Sequence, residues 1–565
     1  MKTLFSDFKQ RLTIDRKTIG SDFIAGLTLA IESIPDSMAT ALLAGISPLT
    51  GLYTMIIATP VGALFTGSVM MHVSTTSAIA LAVGSSLIGI PAEQTLQAAI
   101  LLAFMVGVIQ IVLGVFKMGF LVRFVPFSVM TGFLNGVAVL IILGQFSDIT
   151  GYDSEYSNKV LSALDTILHP SEIVLEILFI GLTTIGLILL FDRVKRLSKF
   201  SMVLAMVIAS ALASLPFFRD VPLVGDVTDV PNALPNFLVP NFSLFLTLLI
   251  PALSISIIGL VQGAGISQSM PNPDGNFPDP SKDFFGQGMA NLTTSFFQGM
   301  PAGASLSGTS LVVSAGGKSR WANIFVGILI AIIVLLFAGL VELIAMPALA
   351  GLLIVVGFQT IKPVNIQTVW QTGQIPRAVM LITFVATLIM PLQYAVFMGV
   401  GLSILLFLGQ QANRISLVEL VPSPGGFPIE QPAPSQLPSR KITLLFTYGS
   451  LFYAAAKTLE EVLPAAEEAK QAVVIFILRG HEEFGSTLFG VLERYTRTIQ
   501  NNQGLVMLTG VSETIVQQME RTGFLDLIGR ENVFLAQAQW GASASQAYEV
   551  AEAWLDALDQ PKTKE

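Results

Sequence analysis

The chain predicts a polytopic α-helical membrane protein followed by an α/β module, and three observations carry that expectation. Only 12% of the 565 residues are charged and 53% are hydrophobic, against about 25% charged in soluble chains, and the mean hydropathy is +0.72. From about Ser21 to Ala412 long apolar stretches alternate with short polar breaks, whereas from about Ser439 to Asp556 apolar residues recur at strand and helix spacing. Inside the apolar part, Gly299 to Thr309 reads GMPAGASLSGT, a run of hydroxyls and flexible backbone that lipid-facing structure could not tolerate.

Taken in order, residues 1–20 mix Lys2, Lys9, Arg11, Arg16 and Lys17 with polar side chains and lack the apolar run of a cleaved signal, so they read as a cytoplasmic segment. The transmembrane region, 21–412, offers spans beginning near Ser21, Gly51, Val73, Thr95, Pro126, Ile173 and Met202. It continues with spans near Leu244, Gly286, Leu306, Ala322, Leu343, Ala378 and Tyr394. Residues 413–438 include VELVPSPGGFPIEQPAPSQLP, a proline- and glycine-rich run of linker composition. The module at 439–560 alternates strands (Ile442–Phe446, Val473–Leu478, Leu505–Leu508, Val533–Leu535) with amphipathic helices, which suggests one sheet covered by helices.

The helix from Leu306 to Ala315 is only about 15 Å long, too short for a hydrocarbon core of roughly 30 Å. Such a half-helix lines a cavity and turns its free N–H groups and positive dipole end toward mid-membrane, where an anion can be held. The net charge of −8 disfavours nucleic acid, and the absence of cysteine excludes disulfides, thiolate metal sites and cysteine nucleophiles. Gly316-Gly317-Lys318-Ser319 resembles the end of a phosphate-binding loop, but Val312 stands where its first glycine must be. No nucleophile, base and orienting group converge, so an enzyme is not expected.

Loop charge sets the orientation. Arg193, Lys195, Arg196 and Lys199 crowd one short loop; Lys318 with Arg320, then Lys362 and Arg377, fall in others two spans apart. The positive-inside rule makes these loops cytoplasmic. The acid-rich stretches Asp148 to Asp165 and Asp220 to Asp229 then face outward, and both termini lie inside.

The stretch DFIAGLTLAIESIPDSMATALLAGISPLTGLY, with Pro35 and the Pro48…Gly51-Leu52-Tyr53 signature, resembles the first two helices of the SulP (sulfate permease) anion transporters. The resemblance extends through TGFLNGVAVLIILGQ, GQGMANLTTSFFQGMPAGAS, YGSLFYAAA and ERTGFLDLIG, in the same order along nearly the whole chain. It implies fourteen transmembrane helices in two inverted seven-helix repeats forming core and gate domains, a cytoplasmic STAS domain, a homodimer in the cell membrane, and elevator-like alternating access. The substrate it implies is a small inorganic anion, bicarbonate or sulfate first, with dicarboxylate also open.

The matching half-helix of the first repeat begins near His72-Val73-Ser74-Thr75-Thr76-Ser77-Ala78. Two facing N-termini would build an anion site from Thr75, Thr76 and Ser77 on one side and Ser305, Ser307, Gly308 and Thr309 on the other. The blander reading is that these hydroxyls cap helices or bond back to carbonyls. Many members carry an acid in the eighth helix, where this chain has Gln262, which takes up no proton; many animal members have arginine where Gly308 stands. Glu32 and Asp36 lie one turn apart on one face of the first helix, and intramembrane carboxylates usually face a cavity and have a role. Asp36 follows Pro35, where relatives often direct glutamine at the substrate; its blander role is to cap N–H groups freed around Pro35. A coupling cation, sodium or a proton, is placed at Asp36 with Glu32, and no other cofactor is expected. His72 is expected to be satisfied at a helix entry. In the STAS-like part, GHEEFGSTLFG brings Ser486 and Thr487 to a helix start, where N-capping and regulation by phosphate or a cytoplasmic partner are the two readings. An uncoupled exchanger or channel, favoured by Gln262, and a membrane-bound sensor with a signalling tail are the alternatives to coupled transport.

Overall fold

The long apolar stretches fold as helices because in hydrocarbon each backbone N–H must find its acceptor within its own segment. The computed structural model describes residues 16–559 apart from 157, 195–196, 219, 228–231, 413–414, 424–427, 450 and 452–455. Lys195, Arg196 and Asp229, used above for orientation, lie outside the described residues. So do residues 1–15 of the expected N-terminal segment and most of the LFYAAA stretch.

The chain divides into two units, Met1–Ser403 and Ile404–Glu565. The first opens with α1 (Ile19–Leu43) and α2 (Pro48–Phe65), then a strand, β1 (His72–Ser74), α3 (Ser77–Leu87), α4 (Ala92–Val115), α5 (Phe127–Gly144) and the short α6 (Phe146–Thr150). There follow α7 (Lys159–Leu168), α8 (Leu175–Asp192), α9 (Ser201–Ala213), the single turn α10 (Val224–Val227) and α11 (Phe245–Ser269). Next come α12 (Pro280–Ser295), β2 (Gly303–Ser305), α13 (Leu306–Ser314), α14 (Trp321–Glu342) and α15 (Met346–Thr360). The series closes with α16 (Pro363–Thr372), α17 (Gln374–Ile389) and α18 (Leu392–Ala412), which runs into the second unit.

Each of the fourteen expected span starts falls in or beside one of these helices, the third displaced from Val73 to Ser77 because β1 precedes its helix. Seven described segments, Ala92–Val115 and Trp321–Glu342 among them, are long and apolar enough to cross a membrane; Ser77–Leu87, Ser201–Ala213, Gln374–Ile389 and Tyr394–Gly409 are shorter apolar helices. Pro35 does not break α1, which continues to Leu43 with proline inside it. Membrane helices tolerate such a proline where neighbours satisfy the freed backbone.

Small residues let the helices approach closely. A Cβ at Gly107 of α4 would come within 2.5 Å of the Leu292 nitrogen of α12, and one at Gly288 within 2.6 Å of the Ile111 nitrogen of α4. Polar side chains buried among the helices hold loops as well. Asp22 of α1 accepts from the Lys318 and Ser319 N–H groups at 2.6 and 3.0 Å and from Ser319 Oγ at 2.5 Å. Asp283 of α12 accepts from Ser68 N–H and Oγ at 2.8 and 2.7 Å.

The second unit is a six-stranded sheet. Within 413–438, the expected linker, the chain instead forms β3 (Ser416–Val421) and β4 (Ile429–Pro432), an antiparallel pair. Pro422 and Pro428 lie between these two strands, and Pro432 ends an edge strand, where a missing N–H costs little. β3 pairs antiparallel with β5 (Ile442–Tyr448), which continues in parallel through β6 (Val473–Ile477), β7 (Leu505–Val511) and β8 (Val533–Leu535). Strand alternation separates two cores. Leu445, Val474, Phe476 and Leu508 pack with α19 (Ala456–Val462), α20 (Ser486–Asn501) and α21 (Glu513–Thr522) on one face. Leu444, Val473, Ile475 and Met507 pack against Ala547 and Ala551 of the C-terminal helix Ala542–Asp559 on the other.

Candidate functional site

Two short helices of the membrane unit, α3 and α13, are each entered from a three-residue strand. β1 and β2 pair antiparallel, His72 with Ser305, Val73 with Ala304 and Ser74 with Gly303. Each strand leads into its own helix, so the two N-termini lie at opposite ends of one short ladder, about 10 Å apart. Their positive dipole ends converge on the same interior region.

The hydroxyls divide into two kinds. Thr76 is the N-cap of α3, its Oγ1 accepting from Ile79 N–H at 3.4 Å, and Ser305 caps α13 by accepting from Gly308 N–H at 3.1 Å. The caps leave the N–H groups of Ser77 and Ala78, and of Leu306 and Ser307, without intrahelical acceptors. Thr76 Oγ1 also donates to Gln262 Oε1 of α11 at 3.3 Å, and Ser305 and Ser307 hydroxyls are 3.1 Å apart. Ser307 is exposed, while Thr76, Ser77, Gln262 and Ser305 are half-buried, so the structure places this group along accessible surface. Thr75 and Thr309 do other work. Thr75 is buried and accepts from Thr40 Oγ1 of α1 at 2.7 Å. Thr309 Oγ1 donates to Ser305 O at 2.6 Å and accepts from His72 N–H at 3.0 Å. Gly308 lies against the His72 ring, and a Cβ there would overlap it.

α1 packs against both short helices. Asp36 and Thr40 are one turn apart on α1 and share a face, and Thr40 touches the residue that precedes the α3 cap. The Asp36 carboxylate accepts no hydrogen bond among the described residues, and Glu32 Oε2 is buried without a partner. These two half-buried acids therefore carry lone pairs that no described hydrogen bond fills.

Sequence reasoning missed the groups that hold the strands. Thr59 Oγ1 donates to Val73 O at 2.8 Å, and Asn323 Nδ2 donates to Met70 O and Met71 O, both at 3.2 Å. Those bonds make Asn323 Oδ1 the acceptor for His72 Nδ1–H at 2.9 Å, so His72 is satisfied at the helix entry. On the other strand, Asn291 receives Ala302 N–H at 2.7 Å and donates to Ala302 O at 2.9 Å, and Thr54 Oγ1 receives Met300 N–H at 2.9 Å. Buried amides in apolar helices were the available signal.

In the second unit, Ser486 and Thr487 are exposed at the first turn of α20, whose N-cap is Gly485 with no side-chain bond. Neither hydroxyl is the capping residue.

A family model described as the sulfate permease family matches residues 19–383, and a STAS domain model matches residues 438–539. The putative sulfate transporter YvdB of Bacillus subtilis is 25% identical over 527 residues, covering 91% of this chain and 95% of that protein. The structure of the murine Slc26a9 anion transporter in the inward-facing state aligns with a TM-score of 0.85 at 18% identity, covering 98% of this chain and 95% of the other. The transmembrane domain of a cyanobacterial bicarbonate transporter, BicA, aligns with a TM-score of 0.59 at 21% identity over 68% of this chain and 98% of that domain.

Proposed function

Because the chain belongs to the sulfate permease family, we propose that it is a secondary transporter of small inorganic anions, bicarbonate or sulfate, with its site between the α3 and α13 openings. One observation carries the reading: the β1–β2 ladder holds two half-helix N-termini toward one region, each with first-turn N–H groups beyond those its cap uses. Gln262 and the Thr76, Ser77, Ser305 and Ser307 hydroxyls add polar groups at the two openings, and Gly308 makes room for the His72 ring beside one of them.

An anion entering this region meets Asp36 as a like charge unless a cation or proton accompanies it. Sodium or a proton at Asp36, with Glu32 one turn away, is therefore the coupling ion of this reading. Gln262, which takes up no proton, favours the second reading, an uncoupled exchanger. Elevator-like movement of a core against a gate, a homodimer in the cell membrane with both termini cytoplasmic, and a STAS unit regulated through Ser486 and Thr487 complete the proposal.

Uptake into proteoliposomes from a panel of anions, with and without sodium and pH gradients, tests it. Ser307→Leu and Thr76→Leu are expected to weaken uptake while the protein stays folded; unchanged uptake in both would place the site elsewhere.

A further inference from the structure

Three carboxamides stand behind β2, all fully buried: Gln110 of α4 and Gln287 and Asn291 of α12. Asn291 grips both backbone groups of Ala302, Gln287 Oε1 receives Ala304 N–H at 3.3 Å, and Gln110 Oε1 receives Asn291 Nδ2–H at 2.9 Å. Alternate residues of the strand segment are thus fixed by side chains from another element. Ser305, the cap of α13, follows directly.

Across from them, α11 presents Gly259 and Gly263, one turn apart. A Cβ at Gly259 would stand 3.0 Å from Gln110 Nε2, and one at Gly263 would overlap Gln287 Nε2. These glycines let α11 lie against the amides and bring Gln262 beside Gly303, where an added Cβ would stand 3.4 Å from Gln262 Oε1. Among the described residues Gln110 Nε2 and Gln287 Nε2 have no acceptor. A buried amide donor without a partner opposes folding, so these glutamines are poor choices for stability alone. Their oxygens, in contrast, each accept a hydrogen bond, Gln110 Oε1 from Asn291 and Gln287 Oε1 from Ala304.

We propose that Gln110, Gln287 and Asn291 form a carboxamide ladder that positions β2, setting where the α13 opening stands relative to α3 and Gln262. They are positioning residues, acting on a transported anion only through the backbone of 302–308; the inference rests on the anion-site reading above.

Methionine is nearly isosteric with glutamine, retains helix propensity and removes both the useful acceptor and the unpartnered donor. In full-length protein reconstituted into proteoliposomes, Gln287→Met and Gln110→Met are expected to raise the KM for sulfate or bicarbonate about tenfold, the equivalent of one displaced hydrogen bond. Maximal rate and melting temperature stay near wild type. Ser254→Ala, which deletes another buried unpartnered group on α11, is expected to leave KM unchanged. Hydrogen exchange of the peptide spanning 302–309, measured without anion, is expected to accelerate in both methionine variants and not elsewhere. A wild-type KM with wild-type exchange would overturn the ladder, and so would a rise in KM accompanied by a fall in both maximal rate and melting temperature. If wild-type protein moved no anion, the functional reading would fail, while the exchange measurement would still decide the ladder.

Discussion

Four carboxylates on α1 and α12 form two contrasting pairs. Asp22 and Asp283 are completely buried, and loop N–H groups and a serine hydroxyl meet each of them. Glu32 and Asp36 are half-buried and accept no hydrogen bond among the described residues, although serine and threonine hydroxyls lie all along α1. Those hydroxyls are spent elsewhere: Ser37 donates to Ile34 O, and the one Thr40 hydroxyl lies within bonding distance of Ser37 O and of Thr75 Oγ1. Burial by itself therefore says little about function. A carboxylate whose lone pairs are filled by backbone is an anchor, while one left open beside a cavity has capacity for a mobile ion.

The comparison makes its largest demand on the anchors. Asp283→Ala removes two charge-assisted bonds and strands Ser68 N–H, for a stability loss of about 3 kcal/mol, and Asp22→Ala should cost a similar amount. Thermal unfolding in detergent measures both, and whatever folds should keep wild-type ion dependence. Next in size, Asp36→Asn should abolish gradient-driven accumulation, bringing the inside-to-outside anion ratio to its passive value while downhill flux persists, with no loss of melting temperature. If Asp36→Asn instead unfolded the protein as Asp283→Ala does, the two pairs would be alike and Asp36 would be an anchor. The smallest effect belongs to Glu32→Gln, which removes an unanswered charge: stability should rise by about 1 kcal/mol, with uptake slowed but still concentrative. A melting temperature below wild type would show that Glu32 has a partner after all.

Much of this arrangement was legible before any coordinates. Fourteen apolar stretches and four strands follow from periodicity, and the hydroxyl-rich breaks at 74–77 and 305–309 mark the half-helix starts because lipid excludes such backbone elsewhere. The β3–β4 hairpin was hidden because prolines around 422–428 look the same in a linker and in a hairpin loop. The amide ladder was hidden for a different reason. Gln110 and Asn291 are 181 positions apart, and no local pattern connects them. Thr75 and Thr309 show the same limit, since a hydroxyl at a helix start has the same spacing whether it faces a cavity or ties down a neighbouring strand. The hairpin also moves the place where the tail can be cut: deletion after Pro438 would leave β3 and β4 without β5, so a truncation that tests the STAS unit should begin before Ser416.

The β1–β2 ladder also works as a caliper. Its three residue pairs fix the gap between the two jaws, and a strand can be lengthened only in whole residues. One inserted residue would shift a jaw by about 3.4 Å and turn every following side chain of that strand to the opposite face. The gauge therefore has no fine adjustment. If the proposed anion site lies between the jaws, graded changes in the size of anion accepted would have to come from the side chains there, since both jaws are cut from the same ladder.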